Sequence, residues 1–245
     1  ILTNDGVVCN KKEAARYFKR AADNGHIQSM YEYAMILFKG DGVVIDKKEA
    51  VRYLKMAADH GHKEAMYKYH LMLQNGDIVP INEKNSKKYF SLAVDHGQAD
   101  AVYENALSMT DRQEKVLNIK KAADNGNVDA MYKFALILEK GRGVPVNLNS
   151  ACNYYKIAAN NGHIRALYKY ALMLLNGVGV NVDKKEAARY FKIGAFRGDR
   201  NAMYRYAVML RTGDGVQIDN HEAAKYFKMA ADNGHVDSMY IYALM

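Results

Sequence analysis

Among the side chains in this sequence that could bind a metal ion or attack a substrate are eight histidines and two cysteines. His26, His62, His163 and His235 share one setting, each directly after a glycine that closes a short polar turn. Metal ligands must converge within a few ångströms. Neighbouring copies of this histidine stand a full repeat apart, so they cannot share one ion, and a turn role is expected for them. His60 and His62 together would make only a weak chelate. Cys9 and Cys152 are unrelated in position and have no partner pattern for nucleophilic catalysis; both are expected as reduced thiols. No Ser/His/Asp constellation or inward carboxylate pair stands out. The chain is therefore expected to carry no catalytic residue, metal or cofactor.

What positions these side chains is a repeat. The glycines Gly25, Gly61, Gly97, Gly126, Gly162, Gly198 and Gly234 are separated by five intervals of 36 residues and one of 29. A fixed period of this length marks a stacked array. Eleven residues before the glycine stands Ala14, Ala50, Ala151, Ala187 or Ala223, and eight before it Tyr17, Tyr53, Tyr89, Tyr154, Tyr190 or Tyr226. Paired small residues follow, as in Ala57 with Ala58. These spacings lie on one helical face. After the glycine a second periodic run begins, such as Met203, Tyr206, Ala207 and Leu210. Each unit thus predicts two helices. Those before the glycine are expected at 11–23, 47–59, 83–95, 112–124, 148–160, 184–196 and 220–232. Those after it are expected at 27–39, 63–75, 99–109, 128–140, 164–176, 200–212 and 236–245. Asn10 with Glu13, Asp46 with Glu49, Asp111 with Glu114, Asp183 with Glu186 and Asp219 with Glu222 read as capping boxes, the Glu reaching back to the cap. Gly-x-Gly-Val loops, as at Gly177 to Val180, join the units. The loop recurs in four units with no strand before it, which argues against a phosphate cradle.

The pattern A-x-x-Y-F-x-x-A-A-x-x-G, A-x-x-x-Y-A, L-x-x-G-x-G-V-x-x-D is met in one unit by Ala187, Tyr190, Phe191, Ala195, Gly198, Ala202, Leu210, Gly213, Gly215, Val216 and Asp219. It resembles the Sel-one-like repeat family, relatives of the tetratricopeptide repeats, and the resemblance covers essentially all 245 residues. It implies an all-α fold, an α/α solenoid wound as a right-handed superhelix of about seven helix pairs. It also implies a non-enzymatic scaffold or adaptor that binds protein or peptide partners in a concave groove. The alternative is the regulatory repeat region of a larger signalling enzyme such as a protein kinase. The family's usual Leu-Gly pair is Tyr-Ala here (Tyr170 and Ala171, Tyr206 and Ala207), which predicts coordinated repacking. Residues 1–245 are expected as one continuous array with a shortened repeat at 98–126. Both ends fall inside the pattern, so a fragment of a longer protein is expected, with end-to-end self-association at the termini as a candidate contact. No apolar run reaches the eighteen residues of a membrane span, and a cytoplasmic location is expected.

Two surface patterns bear on partners. The formal charge of +8 is ordered. Lys12, Arg16 and Lys19, Lys48, Arg52 and Lys55, and Lys185, Arg189 and Lys192 form a basic stripe opposite the alanines. Interleaved Glu13, Glu49 and Glu186 dilute it, so nucleic acid is not the expected partner. Six residues after the glycine every unit has tyrosine: Tyr31, Tyr67, Tyr103, Tyr132, Tyr168, Tyr204 and Tyr240. An aliphatic follows one turn later, including Leu136, Leu172 and Val208. By the resemblance this position faces the groove, where an aromatic ladder suits a bound peptide; stacking into the core is the other assignment, and the spacing leaves both open. Lys133, Lys169 and Arg205 follow three consecutive ladder tyrosines and predict a basic rim, with Asn176 placed to hold a peptide backbone. The partner expected there is acidic, meeting Tyr103, Tyr132, Tyr168 and Tyr204 with Leu136 and Leu172.

Overall fold

The computed structural model describes residues 10–245, so Cys9 and the loop tail expected at the amino terminus lie outside the described residues. Among the described residues there are fourteen helices and no strand. The helices before the marker glycine are α1 (Lys11–Asp23), α3 (Lys47–Asp59), α5 (Glu83–Asp95), α7 (Arg112–Asp124), α9 (Leu148–Asn160), α11 (Lys184–Phe196) and α13 (Asn220–Asp232). Those after it are α2 (Ile27–Lys39), α4 (Lys63–Asn75), α6 (Ala99–Ser108), α8 (Val128–Lys140), α10 (Ile164–Asn176), α12 (Arg200–Thr212) and α14 (Val236–Ala243). The expected boundaries coincide with these except at the ends of α6 and α14. The fold class is that of an α/α solenoid with seven helix pairs. The chain forms two compact units, 1–105 and 106–245.

The turn inside each pair is short because one residue serves two helices. In the first pair Gly25 adopts φ +88°, its N–H bonds the Ala22 carbonyl, and the His26 N–H reaches back to Ala21 at 3.0 Å. This is a Schellman closure. The His26 side chain then accepts the Ser29 N–H at 3.2 Å and opens α2. His62, His163 and His235 repeat the arrangement, with Gln98, Asn127 and Asp199 as its variants.

The second loop uses two glycines for two reasons. The first, such as Gly177 at φ +69°, is the left-handed cap of α10. The second approaches another helix: a Cβ on Gly179 would lie 2.2 Å from the Leu148 carbonyl oxygen, at the start of α9. On Gly143 the same atom would meet only side chains at 3.4 Å. Gly179→Ala should therefore cost about 2–4 kcal/mol in a denaturant melt, from left-handed strain plus overpacking. Gly143→Ala should cost about 1–2 kcal/mol, from strain alone. Equal costs would show that close approach is not what the second glycine provides.

Most of the repeat alanines are fully buried (Ala34, Ala57, Ala65, Ala171 and Ala207 among them), so the helix axes approach closely. The Tyr-Ala departure is explained by a ring pair. Tyr170 meets Tyr190 edge-on at 4.8 Å, and Tyr33 with Tyr53, Tyr69 with Tyr89, Phe134 with Tyr154 and Tyr206 with Tyr226 do the same. That geometry suits the aromatic quadrupole. Each pre-glycine helix starts at an Asp or Asn whose side chain accepts the amide three residues on, as Asp183 does from Glu186 at 2.9 Å. The other half of the expected capping box is corrected: Glu186 and Glu49 do not reach back but hold Arg189 and Arg52, each at 2.6 Å.

Candidate functional site

The ladder tyrosines sit one to a post-glycine helix. Tyr31, Tyr67, Tyr103, Tyr132, Tyr168 and Tyr204 are half-buried, while Tyr240 on α14 is 68% exposed. Where the next post-glycine helix opens with histidine, the ring stacks on it: Tyr31 on His62 at 4.4 Å, Tyr132 on His163 at 4.3 Å and Tyr204 on His235 at 4.4 Å. One side of the ladder is thus used to lock successive pairs together. Tyr67 instead donates to Glu104 at 2.5 Å, and Tyr168 faces Phe191 at 5.8 Å.

The histidines are therefore more than turn residues. Nδ1 of His62 accepts the Ala65 N–H at 3.3 Å, and its Nε2 donates to Gln28 at 3.0 Å. Burial pushes its pKa down, against Glu64 and Glu32, which favour the charged form. Nδ1 of His163 accepts the Ala166 N–H at 3.1 Å, with Nε2 3.4 Å from the Asp129 carboxylate. Burial lowers its pKa too, Asp129 opposing. The signal for this role was in the sequence: Asn127 and Asp199, both common helix caps, occupy the same slot.

The rim is less uniform than its charges suggest. Lys133 is exposed. Arg205 lies 5.9 Å from the centre of the Tyr204 ring. Lys169 is half-buried against Glu139 at 2.9 Å, and Glu139 also accepts the hydroxyl of fully buried Tyr155 at 2.5 Å. Burial works against the Glu139 carboxylate, but Tyr155 and Lys169 outweigh it and hold its pKa below the usual range; burial and Glu139 push the Tyr155 phenol up. The basic rim expected from Lys133, Lys169 and Arg205 is thus corrected at Lys169, which is neutralised within the fold. Local spacing could not reveal this, because Glu139 precedes Lys169 by 30 residues. Leu136, Leu172 and Val208 are half-buried, Asn176 is exposed at the end of α10. Tyr103 belongs to the 1–105 unit and the other site residues to 106–245. In the 1–105 unit, the equivalent floor positions Met35 and Leu71 line a depression of about 320 Å³ with Phe38, Met72, Lys68 and Asn75.

On the pre-glycine helices the basic stripe is exposed as expected, and five of its nine cations are paired. Lys19 meets Asp23 at 2.8 Å, Lys55 meets Asp59 at 2.5 Å, and Arg52 and Arg189 hold their glutamates. A stripe partly neutralised along its own helices makes a weaker footprint for phosphates. Cys152 is buried, and burial pushes its thiol pKa up. Among the described residues no three His, Cys, Asp or Glu side chains come together as a metal site, and no helix is long and apolar enough to cross a membrane.

Among solved structures the chain is similar to a protective antigen of uropathogenic Escherichia coli strains that displays an SLR fold. The two are 24% identical with a TM-score of 0.70, over 97% of this chain and 52% of the antigen. The chain therefore spans about half the antigen's length. It is also similar to a Sel1 repeat protein from Oxalobacter formigenes, at 26% identity and a TM-score of 0.64, over 90% of this chain and 99% of that one. An immunity protein from Pseudomonas aeruginosa matches at 16% identity and a TM-score of 0.51, over 79% and 76% of the two chains. No curated protein matches the chain in sequence. The Sel1 repeat model matches residues 5–26, 27–62, 63–98, 128–163, 164–199 and 200–235, leaving out the stretch that contains the shortened repeat. With its double-duty caps, buried alanines and two-glycine loops accounted for pair by pair, the chain belongs to the Sel1 repeat family.

Proposed function

We propose that the chain is a non-enzymatic scaffold that binds a peptide segment of a protein partner along its tyrosine ladder. Sel1 repeats mediate protein interactions and are typically non-catalytic. One observation carries the finer reading. Three tyrosine rows run through the repeat, and two of them are largely buried: Tyr33, Tyr69, Tyr170 and Tyr206 are 5–8% exposed and Tyr53, Tyr89 and Tyr190 0–4%, while Tyr154 and Tyr226 are half-buried and only Tyr17 and Tyr242, on the outermost described helices, are exposed. The ladder row is half-exposed at every member from α2 to α12. Tyrosine left open in this way offers a rigid apolar body and a hydroxyl at low entropic cost.

Lys133 and Arg205 give the rim beside Tyr132 and Tyr204 a positive sign, which suits an acidic peptide and would speed its association. Leu136 and Leu172 form the floor, and Asn176 is placed to bond the peptide backbone. A cytoplasmic setting, with Cys152 as a buried thiol, completes the proposal.

The test is photo-crosslinking in cells. A photoreactive amino acid at Leu172 should trap a partner protein, while the same probe at Lys185 on the basic stripe should not trap that partner. Equal yields of one partner from both positions would contradict binding along the ladder.

A further inference from the structure

The repeat contains an internal clasp that, at one junction among the described residues, keeps its donors and loses its acceptor. Two residues before the marker glycine, Asp59 accepts the Lys55 ammonium at 2.5 Å and the hydroxyl of Tyr89 in the next pair at 2.5 Å. Asp124 does the same for Lys120 at 2.6 Å and Tyr154 at 2.5 Å, and Asp23 does so for Lys19 and Tyr53. Asn160 is a neutral version, accepting from Tyr190 at 2.6 Å. At the junction of α11 and α13 the acceptor is replaced by Phe196, which is 91% exposed. The donors remain. Lys192 has no carboxylate partner among the described residues and lies 5.7 Å from the centre of the Tyr206 ring. Tyr226 packs edge-on against Tyr206 at 4.9 Å.

This is an unusual pairing of chemistries at one place. A cation and a phenol that elsewhere share a carboxylate stand without one, beside the most exposed large apolar side chain of the described residues. Next to them an open groove of about 580 Å³ runs between α11 and the loop before α13, with Lys192 and Tyr206 on its wall and Ala188 and Val216 as apolar lining.

We propose that the surface formed by Lys192, Phe196 and Tyr226 is a second docking site, separate from the ladder, that takes an aspartate or glutamate of a partner peptide flanked by apolar residues. The peptide carboxylate occupies the place that Asp59 and Asp124 occupy at their own junctions, accepting from Lys192 and Tyr226. An apolar neighbour in the peptide covers Phe196, and the chain continues along the groove. The site thus completes in trans a contact that the repeat elsewhere makes in cis. Charge-assisted bonds of this kind are the stronger class of hydrogen bond, and the exposed ring supplies apolar area that a soluble ion would not use.

The probe is a fluorescein-labelled Leu-Leu-Asp-Leu-Gly peptide and its Asn counterpart, titrated by anisotropy against the whole chain. The Asp peptide should bind saturably, and the Asn peptide at least about tenfold more weakly, as expected for loss of a charge-assisted pair. Phe196→Asp restores the internal acceptor, so it should weaken the Asp peptide at least about tenfold while raising the thermal midpoint. Lys192→Gln should weaken the peptide similarly and leave the fold intact by circular dichroism. Equal binding to Phe196→Asp and the unaltered chain, equal binding of the two peptides, or no saturable binding would each overturn the proposal. So would concentration-dependent self-association that Phe196→Asp abolishes, since the occupant would then be a second copy of the chain.

Discussion

Acidification from about pH 7.5 to about pH 5 is expected to destabilise the chain through its histidine caps, by about 0.5–2 kcal/mol for each cap lost. The geometry dictates the sign. Nδ1 of His62 and of His163 accepts a backbone N–H at the positive end of a helix. A protonated imidazole cannot accept, and its charge opposes the helix dipole. Burial already lowers both folded pKa values below the ordinary histidine value of 6.5. A group whose folded pKa is depressed contributes stability that is present above the unfolded pKa and is lost as pH falls through the folded one. Glu64 and Glu32 around His62, and Asp129 beside His163, favour the charged ring and moderate the effect; Lys63 and Arg165 act with the burial.

The clean comparison is the double variant His62→Asn and His163→Asn. Asparagine is the natural cap in the same slot at Asn127, where it accepts the Ala130 N–H at 2.6 Å. The variant should keep both caps and lose the Tyr31 and Tyr132 stacking, so its baseline stability falls. Its urea midpoint should nevertheless change less between about pH 7.5 and 5 than that of the unaltered chain. Parallel pH profiles for the two proteins would show that the caps do not titrate.

The fold was legible because a tandem repeat tests each position several times over. A tyrosine eight before the glycine or a Gly-x-Gly-Val loop is weak evidence once and strong evidence when it returns in phase. Twelve of the fourteen helices begin and end where the pattern placed them. The site was less legible, for a physical reason. Its decisive contacts join residues 16 or 30 apart, across helix pairs: Tyr155 and Lys169 with Glu139, and Tyr89 with Asp59. Helical spacing says which face a side chain occupies and nothing about what the next pair presents to it. Lys169 therefore read as a rim cation, and the histidines as bare turn residues. Comparing the units with one another was the route left open. Asp at minus two recurs together with Tyr at minus eight, and Phe196 breaks the series where Tyr226 still keeps it.

Binding along the ladder is the central claim, and Tyr168→Ala combined with Tyr204→Ala bears on it most directly. Both rings are half-buried on neighbouring post-glycine helices, α10 and α12. Their internal contacts include ring packing, Tyr168 on Phe191 at 5.8 Å and Tyr204 on His235 at 4.4 Å and Phe227 at 6.0 Å, and Tyr204 also packs against Ala195, Met203 and Ala230. Losing such packing costs about 0.5–1.5 kcal/mol per pair beyond area. That leaves a helical protein. If the open faces of the rings hold the partner, each acts as an aromatic anchor of 2 kcal/mol or more, and the double variant should lose on the order of 100-fold or more in affinity. The measurement is the affinity of the partner trapped at Leu172, by titration calorimetry, with far-ultraviolet circular dichroism on the same samples. The account predicts loss of binding with the helical signal unchanged. Unchanged affinity in the folded double variant, or loss of binding only with loss of helix, would contradict it and make the ladder part of the core.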